Sequence, residues 1–459
     1  MTPAAPPVRS ILGQIGNTPM AEVMRIDTGR CRLFVKLENQ NPGGSIKDRI
    51  GLAMIEAAER DGRLQPGGTI IEATAGNTGL GLALVSAQKG YRLILVVPDK
   101  MSREKIQHLE ALGAEVRITR SDVVRGHPAY YQDMTARLER EIAGAFWVNQ
   151  FANPNNPRAH EQGTGPEIWA QMDGALDAVV VGVGSGGTLT GLGRYFKRVA
   201  PDVRTVLADP KGSVLADLVK SGRMGTAGAW LVEGIGEDFV PDNCDLALVA
   251  EAYTIDDAEA FATARELLLR EGIFGGSSTG TLVAAALRYC RAQASPKRVV
   301  TLAPDSGNKY LSKMYNDYWM IDQGFLARET HGDLRDLIGR PAAEGAVVSV
   351  EPGDSLLFAH ARMQLYDLGQ LPVLEKDRLV GIIDESDLLL AIYRHEDNFK
   401  APVRDFMTQR LEVVGPGDPL DTVISILRAD RVAIVVDRDA FLGLVTKTDL
   451  LAYLRRKVR

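Results

Sequence analysis

Between residues 10 and 325, short runs rich in Val, Ile and Leu alternate with longer amphipathic stretches, and no other feature limits the fold of this chain as strongly. A strand followed by a crossover helix leaves this pattern, because the helix buries one face whereas the strand is covered on both. The runs at 69–72, 93–97, 178–183, 205–208 and 299–302 are apolar and bounded by Gly, Pro or Asp. Such continuous apolarity suits parallel strands inside an open sheet. Amphipathic stretches at 48–61, 78–89, 103–113, 188–199, 255–271 and 281–294 supply the helices. The fold class read from this is α/β, with open, twisted, mostly parallel sheets.

The alternation weakens into a polar stretch, DQGFLARETHGDLRDLIGRPAAEG, and beyond it the chain repeats itself. LVGIIDESDLL aligns with FLGLVTKTDLL, matching Gly381 to Gly443 at an offset of 443 − 381 = 62. Upstream, EPGD ending at Asp354 pairs with GPGD ending at Asp418, an offset of 418 − 354 = 64. Each copy reads as a helix (355–369; 420–430), two short strands joined by a turn, and a final helix. The expected organisation is a catalytic region over 1–325, a linker over 326–340, and two α+β repeats over 341–396 and 397–459.

Composition narrows the function classes. Lys and Arg sum to 53 against 59 Asp and Glu, so 53 − 59 = −6, which offers no basic field for a nucleic acid. Cys31, Cys244 and Cys290 lie far apart without a CxxC pair, and the six histidines lack metal-ligand spacing, so neither a disulfide framework nor a metal site is expected. The N-terminus has no signal-peptide core and no run is long enough to span a membrane. A soluble cytoplasmic enzyme acting on small molecules fits these limits.

Four loops carry the chemistry. In NPGGSIKDR, the helix begins around Ser45, with Lys47 in its first turn. The positive end of the helix dipole lowers the pKa of an ammonium there, and a lysine biased toward its neutral amine is what a Schiff-base nucleophile requires. Taken alone, Lys47 reads first as a surface lysine at an ordinary helix start. In EATAGNTG, small residues and the hydroxyls of Thr74 and Thr78 can receive a carboxylate at a helix N-terminus, and Asn77 offers an amide to a ring oxygen. The third loop, GVGSGGT, ends a strand and opens a helix, as a phosphate cradle does. Its Gly182, Gly184 and Gly187 also satisfy GxGxxG, and Asp209 follows at 209 − 187 = 22, where a dinucleotide site places its ribose-binding acid. On this loop alone, an NAD-dependent dehydrogenase and a phosphate-bearing cofactor stay open. The fourth, GIFGGSSTGT, presents Ser277, Ser278 and Thr279, which capping alone would also explain.

Together, in this order and spacing, the segments resemble the fold-type II pyridoxal-phosphate enzymes, in the branch of the cystathionine β-synthases and cysteine synthases. By that resemblance Lys47 forms the Schiff base with pyridoxal 5'-phosphate, Asn77 contacts the ring hydroxyl, and Gly184, Ser185, Gly186, Gly187 and Thr188 hold the phosphate. Ser278 would face the pyridine nitrogen. Thr74, Ala75, Gly76 and Thr78 would bind the amino acid's carboxylate, with Gln150 beside them and Gly236 and Glu237 lining the site. The repeats resemble tandem CBS domains, and this combination leans toward the cystathionine β-synthase arm, implying condensation of L-serine with L-homocysteine and, by the same chemistry, hydrogen sulfide production. Two positions depart from the family pattern: Glu237 stands where eukaryotic relatives usually have Tyr, and Ala75 where Ser is common. They leave O-acetylserine and sulfide open as donor and nucleophile. Relatives in animals carry haem on an N-terminal extension; the pattern here starts near Ser10, so no haem is expected. In the second repeat Thr446 and Asp449 match the Thr/Ser-x-x-Asp of adenosyl-binding modules, whereas the first has Asp384 and Asp387, whose charge opposes a phosphate. At most one adenosyl ligand is expected, alongside a purely structural alternative. The resemblance also implies a homodimer or larger homo-oligomer.

Overall fold

The computed structural model describes residues 8–74, 76–99, 101, 103–123 and 126–458. It divides into two compact units, Met1–Met314 and Tyr315–Arg459. Among the described residues the first contains ten strands: β1 (Met20–Glu22), β2 (Arg32–Lys36), β3 (Thr69–Ala73), β4 (Arg92–Pro98), β5 (Glu115–Thr119), β6 (Ala145–Trp147), β7 (Ala178–Gly182), β8 (Arg204–Pro210), β9 (Val249–Ile255) and β10 (Arg298–Leu302). They form two sheets, one in the order β1-β2-β10-β7-β8-β9 and one in the order β5-β4-β3-β6. All pairings are parallel except β1 with β2. The five runs read as strands are β3, β4, β7, β8 and β10, all of them interior to a sheet. Their burial explains their composition: Leu93 to Val97 are at most 2% exposed, so no position on either face tolerates a polar side chain.

Helices cover both sheets. Lys47–Arg60 and Asn77–Lys89 cross closely at Gly51 and Gly81, where an added Cβ on Gly81 would come within 2.8 Å of the Lys47 carbonyl oxygen. That crossing brings the start of one helix beside the start of the other. The stretch read as a helix from 255 is strand up to Ile255; Asp256 then caps the helix Asp257–Glu271 by accepting from the Glu259 amide at 2.9 Å. The last helix of this unit starts at Ser277, four residues ahead of the expected 281.

In the second unit the repeat shows in the backbone. Gln370–Glu375 pairs with Arg378–Asp384, and Ala433–Asp437 with Ala440–Val445, each antiparallel, with a register shift at Val373/Leu374 and at Val435/Val436. These shifts lie 435 − 373 = 62 residues apart, the offset of the sequence repeat. Within the stretch read as a polar linker, Leu334, Leu337 and Ile338 are buried in the core of the second repeat with Val414, Val423 and Val435. Among the described residues no helix is long and apolar enough to cross a membrane.

Candidate active site

Lys47 is the first residue of its helix, and its entering turn is held from both sides. Ser45 Oγ accepts the Lys47 amide at 3.2 Å, and the Asp48 carboxylate accepts the Gly43 amide at 2.5 Å. Gly43 is required because a Cβ there would sit 2.5 Å from an Asp48 oxygen. The chain is thereby turned so that the Lys47 side chain enters a cavity of about 280 Å³. Burial pushes its amine below the usual lysine range, while the charges of Glu237 and Asp305 act in the opposite sense. Helix polarity and burial therefore act together on this amine.

The cavity collects the loops singled out in the sequence. Thr74, Gly76, Asn77, Thr78, Gln150, the stretch Gly184–Thr188, Gly236, Glu237 and Ser278 all line it with Lys47. Ala75 lies outside the described residues. Thr78 donates to the Gln150 carboxamide oxygen at 2.6 Å, joining two segments read separately. Beneath them the buried Glu72 carboxylate accepts the amides of Ala73 at 3.1 Å and Gln150 at 3.3 Å; burial outweighs these bonds and raises its pKa to about 7. Glu237 is raised to about 8 by burial and by the adjacent Asp238, with Lys47 opposing.

The loop Gly184–Thr188 opens the helix Gly187–Val199, and neighbours behind it dictate its glycines. Gly186 has φ +84°, and a Cβ there would lie 2.7 Å from Cys244 Cβ; one on Gly187 would overlap the Asn156 carboxamide. Asn156 donates to Ser185 Oγ at 2.9 Å. Thr188 Oγ1 lies 3.2 Å from His160 Nε2, whose Nδ1 lies 2.9 Å from Thr164 Oγ1. His160 sits in a π-helical turn and is fully buried, which pushes its pKa well down and keeps the ring neutral. A bare-backboned helix start with oriented hydroxyls fits a phosphate, and a buried amine across the same cavity fits an aldehyde. The residues thus suit pyridoxal phosphate.

One reading changes and another gains detail. Asn77 lines the cavity while one Nδ2 hydrogen is donated to Asp305 at 2.8 Å and its oxygen accepts from Lys309 at 2.5 Å. Asp209, placed in sequence as a ribose-binding acid, is buried, accepts the Ala216 amide at 2.8 Å and is absent from the cavity wall. Sequence reasoning missed Asp305, His160 and Glu72 as supports of this cavity, because each meets a partner far away in sequence. Also missed was a buried ion cluster two residues beyond Lys47. Arg49 makes paired bonds to Glu38 at 2.7 and 2.8 Å and to Glu167 at 2.7 Å, and Lys36 joins Glu167 at 2.8 Å.

In the second unit Thr446 and Asp449 meet, the hydroxyl donating to the carboxylate at 2.6 Å. Asp449 also accepts the Thr446 amide at 2.8 Å, so the pair closes the start of the helix Lys447–Val458. Asp384 and Asp387 do the same work for Glu385–Arg394, as a reciprocal capping box.

The chain matches the pyridoxal-phosphate dependent enzyme family over residues 11–305 and the CBS domain over residues 343–394 and 403–456. Cystathionine beta-synthase of Mus musculus is 37% identical over 439 residues, covering 93% of this chain and 77% of that protein. The Saccharomyces cerevisiae cystathionine beta-synthase is 34% identical over 495 residues, covering 97% of each. Among solved structures, a hydrogen sulfide-producing enzyme from Fusobacterium nucleatum superposes with a TM-score of 0.62 at 38% identity, covering 66% of this chain and all of its own. O-ureido-L-serine synthase gives a TM-score of 0.63 at 34% identity, over 69% of this chain and all of its own.

Proposed function

The chain belongs to the cystathionine beta-synthase family of pyridoxal-phosphate-dependent lyases, and on that premise we propose that it condenses L-serine with L-homocysteine to give L-cystathionine and water. The observation that carries this reading is the buried amine of Lys47 facing, across one cavity, a helix start suited to phosphate and a second helix start suited to a carboxylate.

Lys47, Gly184, Ser185, Gly186, Gly187, Thr188 and Ser278 would hold the cofactor, with Asn77 beside its ring. Pyridoxal phosphate, when bound, supplies a conjugated ring that withdraws electrons from the amino acid's Cα. The rest falls to the protein. Thr74, Gly76, Thr78 and Gln150 bind the carboxylate of serine and fix its Cα–H toward Lys47. The Lys47 amine, kept weakly basic by burial, takes the Cα proton. The serine hydroxyl leaves as water with the proton Lys47 has taken, the homocysteine sulfur bonds to Cβ in its place as its thiol proton passes to Lys47, and Lys47 delivers that proton to Cα. Ser278 contributes a neutral hydroxyl, which withdraws less charge into the ring than an acid would and so favours elimination over transamination.

Similarity extending through both units favours the cystathionine reading over a cysteine synthase using O-acetylserine and sulfide, because the yeast relative aligns over 97% of this chain. The CBS pair is proposed to take one adenosyl ligand, at Thr446 and Asp449. Homodimerisation and a cytoplasmic location belong to the same proposal. Replacing Lys47 with Ala tests its core: the purified variant should lack the yellow absorbance of lysine-linked cofactor and form no product, and a Lys47→Ala protein that still turns over would overturn it.

A further inference from the structure

A second cavity, of about 810 Å³, adjoins the first, and Gly76, Asn77 and Gly234 stand in the walls of both. Its charged lining is Lys105, Lys309, Lys313 and Glu233, so three cations against one anion leave 3 − 1 = +2. The cluster is assembled from separate segments: Lys105 from the helix Arg103–Ala111, Glu233 from the loop ahead of Gly234, and both Lys309 and Lys313 from the stretch after β10. Lys105 and Lys313 each bond a different oxygen of the single Glu233 carboxylate. Lys309 bonds the Asn77 oxygen and faces the Asp305 and Asp48 carboxyls behind the wall. Burial raises the Glu233 carboxyl, but the two lysines outweigh it and hold it below the usual range, so the acid stays ionised and shared. Two ammonium groups held by one carboxylate keep one positive charge uncancelled at the edge of the cavity, where an incoming anion finds donors already gathered.

We propose that this vestibule docks the α-carboxylate of the second substrate through Lys105 and Lys313, selecting a thiol that carries an amino-acid head group over bare sulfide. The inference rests on the β-replacement reading and specifies its nucleophile. An α-amino thiol spans two requirements: its sulfur must reach the carbon above Lys47, and its carboxylate must remain behind in the wider cavity. Sulfide has no group for the lysines to hold. Lys313 is the better position to alter, since its side chain keeps 38% of its surface exposed against 15% for Lys105 and its loss leaves Glu233 paired with Lys105.

The test is steady-state kinetics of the cofactor-loaded full chain at saturating serine, with homocysteine, with its decarboxylated analogue 3-aminopropane-1-thiol, and with sulfide. Lys313→Gln should raise the KM for homocysteine about tenfold, in the range of one charge-assisted hydrogen bond, and leave the KM for sulfide and for the analogue within twofold. Lys313→Arg should restore the homocysteine value. Turnover with sulfide reports that the variant is folded and loaded. Parallel loss with all three nucleophiles, or no change with homocysteine, would overturn the vestibule assignment while leaving the β-replacement intact. A wild-type enzyme that uses sulfide but not homocysteine would overturn both.

Discussion

Arg49 is the residue whose removal from the scaffold should be felt most. Its guanidinium forks onto Glu38 and Glu167, and the Glu38 side chain has no solvent exposure. In Arg49→Met, Glu167 keeps Lys36, but Glu38 keeps only the neutral donors Thr18 Oγ1 at 2.7 Å and Asn41 Nδ2 at 2.9 Å. Stripping one partner from a buried pair costs about 3–5 kcal/mol. With a melting entropy of about 2.1 cal/mol/K per residue over the 314 residues of the first unit, that corresponds to a Tm lower by roughly 5–8 °C. The pH dependence has a definite sign. Burial raises the Glu167 carboxyl, but bonds from Arg49 and Lys36 outweigh it and bring it down to about 2 from 4.5. A depressed carboxylate contributes stability above its unfolded pKa and loses it as pH falls toward the folded value. The gap in Tm between wild type and Arg49→Met should therefore be full at pH 7 and narrow between pH 4.5 and 2. Calorimetric or circular-dichroism melts across that range would check it, and adding Glu38→Gln to the variant should recover part of the loss. A melt within 1 °C of wild type at pH 7 would refute a stabilising role for the cluster.

Three further outcomes are expected. His160→Phe removes the partner of the Thr188 hydroxyl; at about 0.5–1.5 kcal/mol for one neutral hydrogen bond, pyridoxal phosphate should bind about 2- to 12-fold more weakly by absorbance titration, with an unchanged far-ultraviolet spectrum. Gly187→Ala drives a methyl into Asn156 and should empty the site far more severely, leaving purified protein without the yellow cofactor band. Calorimetry with S-adenosylmethionine and with AMP should show no more than one binding event per chain, lost in Thr446→Val; two equivalent events would contradict the reading of Asp384 and Asp387.

Much of the site was legible because its parts are loops that open helices, and such loops advertise themselves through small and hydroxylated residues. NPGGSIK, TAGNT and GSGGT each stood out without any knowledge of tertiary contacts. The strands legible in the same way were five of the six interior to the sheets; the sixth, β2, is RLFVK, whose charged ends shorten its apolar run. β5 and β9 escaped notice because they are edge strands with one side partly open, so EVRIT and VAEAYTI carry charges that break the apolar run. β1 and β6 are only three residues each. The supports of the cavity were hidden for a different reason. Glu72 reads as a strand end, His160 as one histidine among six, and Arg49 as a helix surface residue, until the fold sets each against partners it meets only in space. Asn77 was found but not its engagement by Asp305 and Lys309, since a carboxylate 228 residues away leaves no local trace.

The reaction itself can be tested in one assay of the cofactor-loaded enzyme, offering L-serine or O-acetylserine as donor with homocysteine or sulfide as nucleophile and identifying the products by mass. Cystathionine from serine and homocysteine should form with the highest kcat/KM of the four pairings. Cysteine from O-acetylserine and sulfide as the dominant product, with no cystathionine from serine, would contradict the assignment.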